Sequence, residues 1–137
     1  SGAQSAAAQA AADGSLLSSD KISQIAGVMF DGYRTGNVNQ MFNDESACWN
    51  DAAKRSRADK ALVAGCASAA MAGALIEATY ARAQRRGPHP RYTGDAVRER
   101  IMKMSGLSQN ETQSILDSTI EPNIGVILAG LKGAGMR

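Results

Sequence analysis

Apolar positions recur along this chain at spacings of three and four residues, the period of one face of an α-helix. Ile22, Ile25, Ala26, Met29, Phe30 and Tyr33 form the first such stripe, which predicts an amphipathic helix opening at Ser19 or Asp20 and ending at Gly36. Asn37 to Asn43 reads as a polar connection from which Val38, Met41 and Phe42 tuck back onto the core. Asn43-Asp44-Glu45 supplies the cap and acidic first turn of a second helix, carrying Cys48 and the single Trp49, which is read as packing. The longest pattern runs from Asp59 to Arg86, with Leu62, Cys66, Ala69, Gly73, Ile76 and Tyr80 on one seam. An acid at its start and arginines at its end suit the helix dipole, and Gly87 with Pro88 closes it. Gly65, Ala69 and Gly73 lie four apart, so neighbouring helices can approach closely, and the stretch is expected to be a central post.

After it, Arg85 to Gly94 is the clearest loop, stiffened by Pro88 and Pro90. Thr93 caps a fourth helix through Val97, Ile101, Met102 and Met104, ended by Gly106. Ser108 and Glu111 form a capping-box pattern for a fifth helix that buries Ile115 and Leu116. Pro122 sits where a sixth helix starts, with Ile124, Ile127, Leu128 and Leu131 facing inward; Gly130, Gly133 and Gly135 then predict a frayed C-terminus. The fold class expected is all-α: a single-domain bundle of about five or six helices around a long central Ala/Gly-rich helix. Its boundaries are a flexible Ala-rich spacer at 1–18, a helical domain at 19–132 and a flexible tail at 133–137.

Composition supports that picture. No Val/Ile/Thr alternation marks a strand, and with aromatics at 4% the core must be built from Ala, Ile, Leu, Val and Met. The 16 uncharged residues from Ala61 to Ile76 fall short of a bilayer span and are mostly Ala, Gly and Ser, which argues against membrane insertion. The net charge of +2 hides an asymmetry: −4 over residues 1–51, +7 over 52–103 and −1 over 104–137. A basic middle is compatible with nucleic acid, but it holds only Tyr80 and Tyr92 for stacking and no recognised motif, so no nucleic-acid partner is expected.

Cys48 and Cys66 are the only cysteines, 18 residues apart. In one straight helix they would be about 27 Å apart, so a bridge demands a turn, which residues 54–58 offer. The even count and the turn favour an oxidised pair over two buried thiols. No metal site is expected, because the chain lacks a Cys/His cluster, and no cofactor motif is present. Ser1 to Gly14 looks like the spacer behind a removed secretory signal, with Ser1-Gly2 an expression scar. With the cysteine pair this predicts export to a bacterial periplasm.

Candidate chemistry is sparse. His89 is the only imidazole and lies between prolines in an arginine-rich loop. A Cys48 or Cys66 nucleophile beside it would be abolished by a disulfide. The one catalytic scheme that the residues suggest is lysozyme-like glycoside cleavage, with Glu77 at the edge of the apolar run as an acid whose pKa burial would raise. Aromatic residues of the kind that line a sugar cleft are lacking, so no catalytic residues are expected.

The Ala-rich start, the segment Leu62 to Ala70 inside the long helix and its partner Cys48 give the chain, over roughly residues 19 to 132, an organisation that resembles periplasmic immunity proteins against type VI secretion amidase effectors. The resemblance implies a protein that binds a peptidoglycan-cleaving cysteine amidase and occludes its cleft. Several members act as dimers, so a homodimer is one expected state. No inhibitory residue carries over by motif, but two rigid surfaces suit cleft occlusion. One is Arg86, His89, Arg91 and Tyr92 in the loop; the other is Asp117, Ser118, Thr119, Glu121 and Asn123 beside Pro122. A structural or adaptor protein of an envelope assembly is the competing expectation.

Overall fold

The computed structural model describes residues 16–137, so the expected spacer at 1–18 lies almost wholly outside the described residues. The described residues are all-α, without a strand. Four helical runs appear where five or six were expected: α1 (Ser19–Ala53), α2 (Lys60–Ala83), α3 (Gly94–Met104) and α4 (109–133).

Two merged boundaries account for the difference. Within α1, Gly36 and Asn37 leave helical geometry, Asn37 with a positive φ of 56° and an extended ψ of −149°. The chain folds back there. Tyr33, before the turn, stacks on Tyr80 near the end of α2, whereas Cys48, after it, is joined to Cys66 nearer the start. The two halves of α1 therefore run in opposite directions along α2. A Cβ on Gly36 would sit 2.6 Å from the Gln40 Cβ, and one on Gly32 would overlap the Asp44 carboxylate, so glycine at the bend and one turn before it lets the returning half lie close. Helix resumes at once, and the expected polar connection from Asn37 to Asn43 is helical from Val38 on. Glu45, expected in a first turn, is instead fully buried inside the returning half.

In α4, the expected fifth and sixth helices are continuous. Gln109–Ile115 opens with the capping box: the Ser108 hydroxyl accepts from the Glu111 N–H at 3.1 Å, and the Glu111 carboxylate accepts from the Ser108 N–H at 3.3 Å. A π-helical turn, Leu116–Ile120, and a 3₁₀ turn, Glu121–Asn123, then absorb Pro122, which has no N–H for the α-helical ladder, and Ile124–Gly133 completes the run.

α2 begins and ends inside its expected limits. The Asp59 carboxylate accepts from the Leu62 N–H at 3.1 Å as cap. At the far end Arg85 takes the left-handed φ of 54°, and the Arg86 N–H returns to the Ala81 carbonyl, so Arg85 rather than Gly87 closes the helix. The same device ties down the C-terminus that was expected to fray: Gly135 at φ 111° turns the chain, the Met136 N–H reaches the Leu131 carbonyl, and Met136 is buried.

With 24 residues, α2 is long and apolar enough to cross a membrane by length and composition, although the uncharged stretch alone had seemed too short; 67% of its apolar window is buried against the rest of the fold. Its small residues admit specific neighbours. Gly65 faces Ile25 and Leu17, and Gly73 receives the ring of Tyr92 so closely that any Cβ would overlap it. Gly130 does the same for α4, where a Cβ would come within 2.6 Å of the Ser23 carbonyl on α1. Cys48 and Cys66 form a disulfide with 5.5 Å between Cα atoms, stapling the returning half of α1 to α2.

Two outcomes follow from this packing. Gly73→Ala should destabilise the protein by about 1–3 kcal/mol in urea unfolding, because the ring it displaces is anchored at its hydroxyl. Thiol titration in denaturant without reductant should find no free cysteine, and reduction should lower stability by about 3 kcal/mol for a loop of this length.

Candidate functional site

The Gln84 to Tyr92 loop leaves the end of α2, crosses beside the α1 turn and enters α3. Two buried glutamates hold it from beneath. Glu77, on the last turns of α2, has no solvent exposure, and its carboxylate receives four hydrogen bonds. Arg86 grips it with Nη1 to Oε2 at 2.7 Å and Nη2 to Oε1 at 2.8 Å, the Tyr33 hydroxyl donates to Oε1 at 3.4 Å, and the His89 N–H donates to Oε2 at 2.5 Å. Arg86 is itself held by Gln84, which accepts from Nε at 2.7 Å, and by the Gly87 carbonyl.

Glu45, from the returning half of α1, forms the second node and is also fully buried. Its oxygens accept from Tyr92 OH at 2.9 Å, Trp49 Nε1 at 2.8 Å, and Arg100 Nε and Nη2 at 2.6 and 2.9 Å. Arg100 Nη1 also donates to the Arg91 carbonyl at 2.8 Å, so α3 grips the loop backbone. The Arg91 guanidinium lies 4.3 Å from the centroid of the Phe42 ring.

The electrostatics follow from this pairing. Hydrogen bonds from Arg86 hold the Glu77 carboxyl below its ordinary value against the opposing effect of burial, with help from the His89 N–H. Burial and the nearby Glu77 charge raise the Tyr33 phenol. Burial, then Glu45, pushes the Tyr92 phenol far up, so it stays a hydrogen-bond donor. Burial works against the Arg100 charge, but the Glu45 hydrogen bonds outweigh it and keep this arginine protonated. The glycosidase alternative asked for a Glu77 carboxyl raised by burial, and the shift here is in the other direction. A general acid needs a raised pKa, and this carboxyl is lowered, with both oxygens occupied.

The predicted contact residues divide by exposure. Arg86 is partly accessible, Arg91 is exposed and His89 is half-buried at the rim, whereas Tyr92 points inward, because Gly73 and Glu45 take its ring and its hydroxyl. On the other surface Asp117 and Glu121 are exposed; Asp117 accepts from Gln113 Nε2 at 2.9 Å. Ser118 and Asn123 direct their side chains to the helix carbonyls of Ser114 and Thr119. Thr119 is fully buried and its hydroxyl accepts from the Leu16 N–H at 3.3 Å, so Tyr92 and Thr119 drop out as partner-facing groups. Glu121 and Arg98 line one small cavity of about 210 Å³.

Sequence reasoning missed Glu45 altogether; the one local signal was Trp49 four residues on, a spacing that places both on one helix face. It also missed the open cleft of about 550 Å³ between the α1 turn and the loop, because that cleft is formed by segments about fifty residues apart. Family models, curated proteins and solved structures yield no match to this chain.

The lowered Glu77 pKa fixes a pH dependence. Its ion-pair contribution to stability is complete above the ordinary carboxyl value of 4.5 and is lost as the pH falls through the folded value. Between about pH 5 and pH 3, the urea midpoint of the wild type should therefore fall more steeply than that of Glu77→Gln. Parallel acid limbs would remove Glu77 as the titrating group.

Proposed function

We infer that this chain is an exported binding protein that blocks the cleft of a peptidoglycan amidase effector of a type VI secretion system. The observation that carries the reading is the loop from Arg86 to Arg91, exposed at its tip and fixed at its base by two saturated carboxylates. A segment held this way loses little conformational entropy on docking, which is what an inhibitory protrusion requires. The periplasm is the proposed compartment, and the Cys48–Cys66 disulfide is consistent with an oxidising one. The resemblance in organisation supplies the amidase as the partner class. Arg91 and the accessible edge of His89 are assigned to the entering tip, with Asp117 and Glu121 as a second, acidic contact able to accept hydrogen bonds from the enzyme.

Purified chain should form a stable complex with a type VI peptidoglycan amidase effector and stop that enzyme from cleaving cell wall. Arg91→Glu should weaken the complex at least about tenfold by calorimetry, the effect of losing one interfacial anchor. Replacing Asp117 and Glu121 together by Asn and Gln should also weaken it; unchanged affinity would remove that surface. Failure to bind the amidase, with cell-wall cleavage by this chain alone, would overturn the proposal.

A further inference from the structure

The charged groups in the cleft beside the loop are paired with each other. Both oxygens of Glu77 are occupied, and Arg86 has directed four of its five N–H groups to Glu77, Gln84 and Gly87. An anion entering the cleft meets a cation already neutralised, and a cation meets a saturated carboxylate. What remains for a ligand is uncharged. The carboxamides of Asn37 and Asn39 line one wall and make no hydrogen bond among the described residues. Opposite them stand Gln84, Pro88, His89 and Pro90. The Arg91 N–H donates to His89 Nδ1 at 3.1 Å, which leaves the Nε2–H as a donor on that wall.

We propose that this cleft is a recognition pocket for a short, uncharged, extended peptide segment. Carboxamides match a peptide backbone because each offers a donor and an acceptor, and the two prolines give a flat apolar face against which an extended chain can lie. The volume of about 550 Å³ suits a few residues. A sugar fits less well, because Tyr33 is the one Phe, Tyr or Trp among the lining residues and one face of its ring is already stacked on Tyr80, with centroids 5.3 Å apart. The backbone of both walls is set before any ligand arrives: the Gly36–Asn37 turn places the backbone that carries the asparagines, and the Glu77 hydrogen bond to the His89 N–H holds the proline wall. The inference goes beyond the amidase reading and is tested on peptides alone, so either can fail without the other.

Gly87 lines the cleft, has no atom within 4 Å of an added Cβ and lies outside the left-handed region, so Gly87→Trp places a bulky ring at the cleft without straining the fold. Gly133, equally open and on α4, supplies the control Gly133→Trp. A random seven-residue peptide library is panned against the full-length chain, and enriched peptides are titrated by calorimetry. The expected result is a set whose shared positions are uncharged, with affinity lowered at least about tenfold by Gly87→Trp and unchanged by Gly133→Trp. Circular dichroism and the melting temperature should match wild type in both variants. Enrichment of charged motifs, equal binding to Gly87→Trp, no enrichment above the Gly87→Trp background, or displacement of bound peptide by chitotriose would each overturn the proposal.

Discussion

A carboxylate that water cannot reach must find its hydrogen bonds inside the protein, and this structure contains two such groups at either end of one loop. Leaving one half-paired costs several kcal/mol, far more than a surface ion pair contributes. Glu77, on α2, draws donors from the outgoing half of α1 and the loop; Glu45 draws them from the returning half of α1, the loop and α3. Displacing any of these elements leaves a buried charge incompletely matched. The two nodes therefore set the register of the helices against one another, which apolar packing by largely Ala-sized side chains specifies weakly.

The glycines carry this constraint into the packing. Tyr92 reaches Glu45 only because Gly73 leaves room for its ring, and the returning half of α1 brings Glu45 into place only because Gly32 and Gly36 admit the side chains of Asp44 and Gln40. A small residue on one helix and a buried charge on another are thus parts of one arrangement. The disulfide acts on the same half of α1, nearer the start of α2, so the segment carrying Glu45 is fixed on either side of that residue.

The helices were legible where their signals are local. The Ser108 capping box, the Thr93 cap, the Gly36 break and the buried stripes of α1 and α2 all depend on residues within a turn or two. Helix count was less legible, because Gly36 marks a break without revealing that helix resumes immediately, and Pro122 sits in a 3₁₀ turn that follows a π-helical turn within one continuous run instead of starting a new helix. The loop was recognised from its prolines, but its anchoring was not. Two of the groups that bind Glu45 lie 47 and 55 residues away, beyond any periodicity, and the string Asn43-Asp44-Glu45 imitates a helix start. Tyr92 and Thr119 show the same limit from the other side: their types suit a contact surface, and only tertiary structure turns them inward.

The same saturation that fixes the loop bears on what these glutamates can do. A carboxylate that transfers a proton or attacks a carbon needs a free lone pair aimed at substrate and a pKa moved toward its working pH. Glu77 has its oxygens occupied and its pKa moved the other way, and Glu45 meets four donors in a site closed to solvent. Chemistry at either would first require dismantling the interactions that position the loop. Recognition makes no such demand: it uses the exposed side of a segment whose buried side is already committed. The more completely the glutamates are satisfied, the better the loop and the cleft beside it are preorganised for binding.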